Sequence, residues 1–250
     1  MGSFKFTYDH LINLFVPCAG IVFSILETFF PERIINKKYE LKNDLLAFCA
    51  LLLLGPLFAQ QIANLMKPYY IWSTTWISLL PSVVKIVLAV ILTDFFNYWL
   101  HFCMHKFNWF WRSHLFHHRI QNLYWFSGLR ASVTHYMAFI IVRMTVGVLL
   151  FKLNSLELFY YFAIGFSFNS FQHTNSKIGL KFIEYLFVTP RVHRLHHAIN
   201  GRKMKNIGTV FTIWDRVFGT YYDPEKMEKN FKLGIRHQSD VNWKKEFFGV

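Results

Sequence analysis

Long apolar runs set the outer limit on what this chain can become. Residues 11–30, 44–66 and 79–100 are each long enough to cross a hydrocarbon layer of about 30 Å as helices rising about 1.5 Å per residue. Backbone in lipid must bond to itself, so these runs predict helices. Residues 136–151 and 156–172 are shorter apolar stretches, near the lower limit of about 17 residues, and Lys152 and Asn154 separate them. They predict two further crossings or a hairpin dipping in from one side. Composition agrees: 54% hydrophobic and 20% aromatic residues leave only 16% charged, which excludes a disordered chain and argues against an ordinary soluble domain. The first run lacks a small-residue cleavage pattern and is expected to be retained. Cys18, Cys49 and Cys103 form no disulfide framework and read as small hydrophobes.

The charge that remains is one-sided. Lys and Arg total 27 against 14 Asp and Glu, a formal net charge of +13. In so apolar a chain this surplus points to a membrane surface and not to nucleic acid. With five crossings, 22 of the 27 basic residues fall in three alternate regions, 31–43, 101–135 and 173–250. Positive residues concentrate on the cytoplasmic side, so those regions are expected there. The expected fold is therefore all-α: one domain over residues 1–250, a membrane helical bundle whose cytoplasmic cap comprises residues 101–135 and 173–250. Basic residues of the tail suit anionic headgroups or an acidic electron donor equally well.

Chemistry is concentrated in histidine. Of 12 histidines, eight fall into three tight groups: His101 and His105, then His114, His117 and His118, then His193, His196 and His197. Helical positions three or four apart share a face, so each group can turn its imidazoles to one place. So many rings, if merely protonated, would repel one another, whereas a metal holds them neutral and donating. Their number exceeds what one ion accepts and suits two ions at about four or five nitrogens each. His173 adds a ninth candidate, spaced i+4 from Asn169 at the inner end of the last apolar run. Asn169 reads equally as a near neighbour of the metal and as an interhelical hydrogen-bonding group. Asp94, seven residues before His101, is expected as the carboxylate partner of a ligand imidazole, since a buried acid in lipid is costly without a role. His135 lacks a partner at ligand spacing, and His10 and His237 read as bystanders. Trp99, Phe102, Trp109, Phe110, Trp111, Trp125 and Phe126 suit an interfacial belt better than a substrate channel.

The order HxxxH, HxxHH and a final HxxHH, with apolar segments between, resembles the fatty acid hydroxylase/sterol desaturase superfamily. The likeness covers roughly residues 90–225. It extends to Asp94-Phe-Phe-Asn-Tyr-Trp-Leu-His101 at the entry to the first box and to Asn206 through Thr220, which looks like the closing signature. Gln172-His173-Thr174, Thr189-Pro190 and Arg130-Ala-Ser132 look most like the alkylglycerol monooxygenase branch. The resemblance implies a pair of iron ions, replaceable by zinc on purification, that activates dioxygen against an aliphatic lipid, fatty acyl, sterol-like or ether. It implies hydroxylation or desaturation, with electrons from cytochrome b5, a ferredoxin or a pterin. Lys106 departs from the branch, whose members place Glu after the second histidine of the first box, and this weighs against pterin use. His135 stands where many sterol desaturase relatives carry Glu.

Two other classes compete. A metal-dependent hydrolase needs a general base, and no HExxH or other carboxylate lies within a box. A membrane metal transporter or metal-binding protein should hold its ligands near the bilayer midplane, whereas these cluster at the cytoplasmic ends of the segments. Oxygen consumption with a lipid, against metal flux into vesicles, separates the two.

Overall fold

The computed structural model describes residues 2–66, 68–69, 77, 79–178, 181–199, 204–226, 231–236 and 242–250, with side chains from Leu14 onward; His237 lies outside the described residues, and His10 is described in its backbone alone. The chain is helical, and among the described residues the only extended pairings are isolated bridges such as Phe187 with Phe211. Six helices build the body: α1 (Gly2–Phe29), α2 (Lys37–Met66), α3 (Ser82–Lys106), α4 (Asn108–His118), α5 (Val133–Met144) and α6 (Ser155–His173). A π-helical turn, Thr145–Leu150, continues α5. Short helices α7 (Lys181–Glu184), α8 (Pro190–His196), α9 (Ile213–Val217) and α10 (Trp243–Phe248) form most of the cap.

Among the described residues, Lys37–Met66, Ser82–Lys106 and Val133–Leu150 are long and apolar enough to cross a membrane, and α1, 28 residues in all, is apolar over Leu14–Phe29. The stretch expected at 156–172 is helical as α6, but Glu157, Asn169 and Gln172 dilute its apolar character. The third expected segment runs past residue 100 to Lys106, so His101 and His105 stand on the same continuous helix as the apolar run.

Local chemistry sets the boundaries. Asn154 and Glu157 close a reciprocal capping box at the start of α6, with Oδ1 of Asn154 accepting from the Glu157 amide at 3.0 Å and Glu157 Oε2 accepting from the Asn154 amide at 2.8 Å. Pro190 occupies the first turn of α8 behind the Thr189 cap. The bundle packs through Ile86, Ala89, Val146, Phe151, Leu153 and Tyr161 at the end remote from the histidines.

At the histidine end, buried acids of α1 and α2 fasten the loop between α4 and α5. Glu27 accepts from the amides of Trp125 at 2.6 Å and Asn175 at 3.0 Å. Glu40 accepts from the amides of Gln121 at 2.9 Å and Asn122 at 3.0 Å. Arg130 is 1% exposed and donates to both Asp44 and Glu40 at 2.7 Å. Removing one member of such a buried set leaves an uncompensated charge.

Candidate metal centre

The nine predicted histidines come together as two adjoining groups. His101, His105, His114, His118 and His196 form one; His117, His173, His193 and His197 form the other; within each group the ligand nitrogens lie within 4.8 Å of one another. All nine are buried. α3 supplies His101 and His105, α4 supplies the second box, α6 supplies His173 at its last turn, and α8 with the residue after it supplies the final box. Successive helical residues are turned by about 100°, so the adjacent pair His117 and His118 points to different groups, as does His196 with His197.

Proton positions follow from the acceptors around the rings. A backbone carbonyl only accepts, so an imidazole nitrogen beside one carries the hydrogen. Nδ1 of His101 donates to the Ile207 carbonyl at 2.7 Å, that of His117 to Arg130 at 2.8 Å, that of His173 to Asn169 at 2.6 Å and that of His196 to Lys205 at 2.9 Å. In each ring this leaves a bare lone pair on Nε2. The Nε2 atoms of His117 and His173 then face each other at 3.2 Å with no hydrogen to share. Other Nε2 pairs stand 2.8 Å apart (His101 and His114), 3.0 Å (His114 and His118; His173 and His193) and 3.1 Å (His193 and His197). Nitrogens about 2.1 Å from one metal and at right angles to each other are about 3.0 Å apart. Nε2 of His196 is buried with no hydrogen-bond partner. The residues present therefore fit two metal ions, and two cations would turn these repulsive contacts into ligation.

Burial, and after it the neighbouring imidazoles, holds His114, His118, His193 and His197 well below the ordinary histidine range, and burial does the same for His117. Burial brings His196 down to about 4, against the opposing pull of the Lys205 carbonyl. Neutral imidazole is the ligating form. Trp111 packs on the first group, its ring centre 5.2 Å from those of His105 and His118, so this member of the aromatic set shields the site.

Of the two expected neighbours, Asp94 meets other partners and Asn169 meets a candidate ligand through its backbone. Asp94 touches no imidazole; its carboxylate accepts from Thr209 Oγ1 at 2.6 Å, the amides of Val210 at 2.8 Å and Phe211 at 2.9 Å, and Trp214 Nε1 at 2.9 Å. Four donors from one distant stretch, residues 209–214, saturate it. Asn169 directs its amide nitrogen to the Gly128 carbonyl at 2.8 Å, and it is the Asn169 backbone oxygen that meets His173.

Two contributors escape sequence reasoning. His135, at the start of α5, brings Nδ1 to 3.0 Å from Nδ1 of His114 and stacks on Phe139. For His114 to offer Nε2 to the first group, its Nδ1 must donate to His135. Asp215 is the second: it accepts from the amides of Ile207 at 2.6 Å and Gly208 at 2.9 Å, which fixes the carbonyl that meets His101. The stretch from Asn206 to Thr220, which contains Asp215, was the available signal for it. His135 offered none beyond its type.

With this geometry in view, the family comparison is decisive: the model of the family described as fatty acid hydroxylase matches residues 86–220, which include all nine histidines. The chain belongs to the fatty acid hydroxylase family. Its relatives include an ornithine lipid hydroxylase of Rhizobium tropici, 25% identical over 69% of this chain and 53% of that protein. They also include the alkylglycerol monooxygenases of Danio rerio, 30% identical over 66% of this chain and 37% of the relative, and of Homo sapiens, 30% identical over 60% and 32%. This fatty acid hydroxylase family member thus spans about half or less of the length of these relatives. No solved structure matches it.

Proposed function

We propose that this chain hydroxylates an aliphatic lipid with dioxygen at a pair of iron ions, one held by His101, His105, His114, His118 and His196 and the other by His117, His173, His193 and His197. The carrying observation is the pair of buried groups whose lone pairs face inward, 4.8 Å or less apart. Hydroxylation is favoured over desaturation because relatives of the chain are a lipid hydroxylase and monooxygenases. Two irons bound there supply an oxidant able to attack an unactivated C–H bond.

The protein's own groups prepare that chemistry. Carbonyls of Ile207, Arg130, Asn169 and Lys205 keep protons on the outer nitrogens, so four imidazoles meet the ions as neutral donors. Burial of all nine rings excludes bulk water from the reacting region. Apolar helices below the site suit a substrate that stays in the bilayer. Imidazole donors also accept zinc, so zinc is expected where iron is scarce.

The basic cap faces the cytoplasm in this reading and receives electrons from an external donor, cytochrome b5, a ferredoxin or a pterin. Cysteines introduced at Lys106 and Lys226, both exposed, should react from the same face of sealed vesicles. The activity is tested with iron-loaded proteoliposomes, a chemical reductant and 18O2, offering fatty acyl, ether and ornithine-containing lipids. A product carrying one 18O supports hydroxylation. Loss of two hydrogens without oxygen establishes desaturation instead, and absence of any oxygen-dependent change at full iron occupancy overturns the proposal.

A further inference from the structure

Asp94 lies on the uninterrupted helix α3, seven residues before His101, or about 10 Å along the axis. From Ser82, where α3 begins, to His101 is about 28 Å, so a hydrocarbon layer of about 30 Å starting at Ser82 ends near the histidines. Asp94 is then about 10 Å inside the layer. The loop whose amides it receives, residues 209–211, lies at the same depth, although sequence reasoning assigns it to an extramembrane cap.

Non-helical backbone is tolerated at membrane depth only where the protein satisfies its polar groups. Here they are met from within. Asp94 takes the amides of Val210 and Phe211, and Asp215 takes those of Ile207 and Gly208. The Val188 amide donates to the Val210 carbonyl at 2.9 Å and the Thr212 amide to the Leu186 carbonyl at 2.9 Å. Thr212 Oγ1 lies 2.9 Å from the carbonyls of both Glu184 and Tyr185.

The outer face of this paired element is apolar. Phe182 is 75% and Val217 64% exposed, and Tyr185, Leu186, Ile213 and Phe218 are exposed with them. The face continues that of α3, since Phe218 packs 4.8 Å from Trp99 and Trp214 packs 5.1 Å from Phe95. Arg216 does not interrupt it: the guanidinium is stacked on Tyr185 and Tyr221 and donates to the carbonyls of Glu184 and Tyr185. Exposed rings against water would be costly at this size, whereas acyl chains match them.

We propose that residues 182–188 and 207–218 form a re-entrant element, seated in the acyl-chain region beside α3, with Asp94 and Asp215 supplying the acceptors that the lipid cannot. The costly acid in the third apolar run thereby has its use: it allows irregular backbone to sit in hydrocarbon.

The test uses the full chain in phosphatidylcholine/phosphatidylglycerol vesicles, with Cys18, Cys49 and Cys103 changed to Ser. Spin labels are placed singly through Ile213→Cys, Val217→Cys, Ile91→Cys and Glu225→Cys, all exposed positions. Labels at 213 and 217 should collide with oxygen and be shielded from a water-soluble nickel chelate, matching Ile91→Cys and not Glu225→Cys. Nickel accessibility at both equal to that of Glu225→Cys overturns the proposal. In the Asp94→Ala background the label at 213 should become nickel-accessible while that at 91 does not. An unmoved 213 label removes Asp94 from the argument, and the measurement on the chain with Asp94 intact decides the depth whether or not Asp94→Ala folds.

Discussion

Nε2 of His117 and Nε2 of His173 stand 3.2 Å apart although the carbonyls of Arg130 and Asn169 hold both protons on the opposite nitrogens. Two buried lone pairs in contact repel each other, and a cation between them would turn that repulsion into ligation. His117→Ala and His196→Ala should each lower the metal content from two ions per chain, the first by emptying the four-histidine group and the second by weakening the five-histidine group. Metal analysis of protein purified from membranes checks this, and undiminished metal in both variants refutes the ligand assignment.

His135 would act on a bound metal through His114, whose Nδ1 it meets at 3.0 Å. His135→Ala removes the acceptor that keeps the His114 proton on Nδ1 and should weaken metal binding by about 10–100-fold. His135→Asn keeps an acceptor and should recover most of it. Competition with a chelator of known affinity reads both, with His114→Ala as the reference for complete loss; equal affinity in His135→Ala and the unsubstituted chain rules the role out.

Gly128 is where close approach demands glycine. A β-carbon there would come within 2.7 Å of His173 Nδ1. Gly128→Ala should therefore displace His173 and deplete the four-histidine group while the five-histidine group keeps its ion. One remaining metal ion per chain is the expected result.

Arg130→Ala should destabilise the protein by about 3–5 kcal/mol, because Glu40 and Asp44 then remain buried without their cation. Thermal unfolding in detergent measures it. The buried loop that carries the His117 acceptor depends on the same ion pairs, so metal content should fall alongside the melting temperature.

Much of the site is legible in the sequence because a helix repeats every 3.6 residues. His101 with His105 and His114 with His118 are neighbours by spacing alone, and the same holds for the helical runs that carry them. Asp94 shows where spacing misleads: its distance from His101 suggests an axial partner, yet the donors it meets lie 115 to 120 residues later in the chain. Asn169 combines the two readings its spacing left open, since the backbone oxygen meets His173 while the side chain hydrogen-bonds to Gly128. The acids Glu27, Glu40 and Asp44 at the ends of apolar runs carry no motif, so only the folded contacts show that they hold the loop of Arg130.

The two histidine groups are assembled from very different lengths of chain. Four of the five members of the first, His101, His105, His114 and His118, come from two consecutive helices, whereas three of the four members of the second, His173, His193 and His197, lie beyond α5. In chain order the first group is nearly complete while the second is a single imidazole, so two ions would be taken up in sequence. Helix α8 and the residue after it would then close both positions at once, and a chain ending before them would retain one weak metal site and no paired centre.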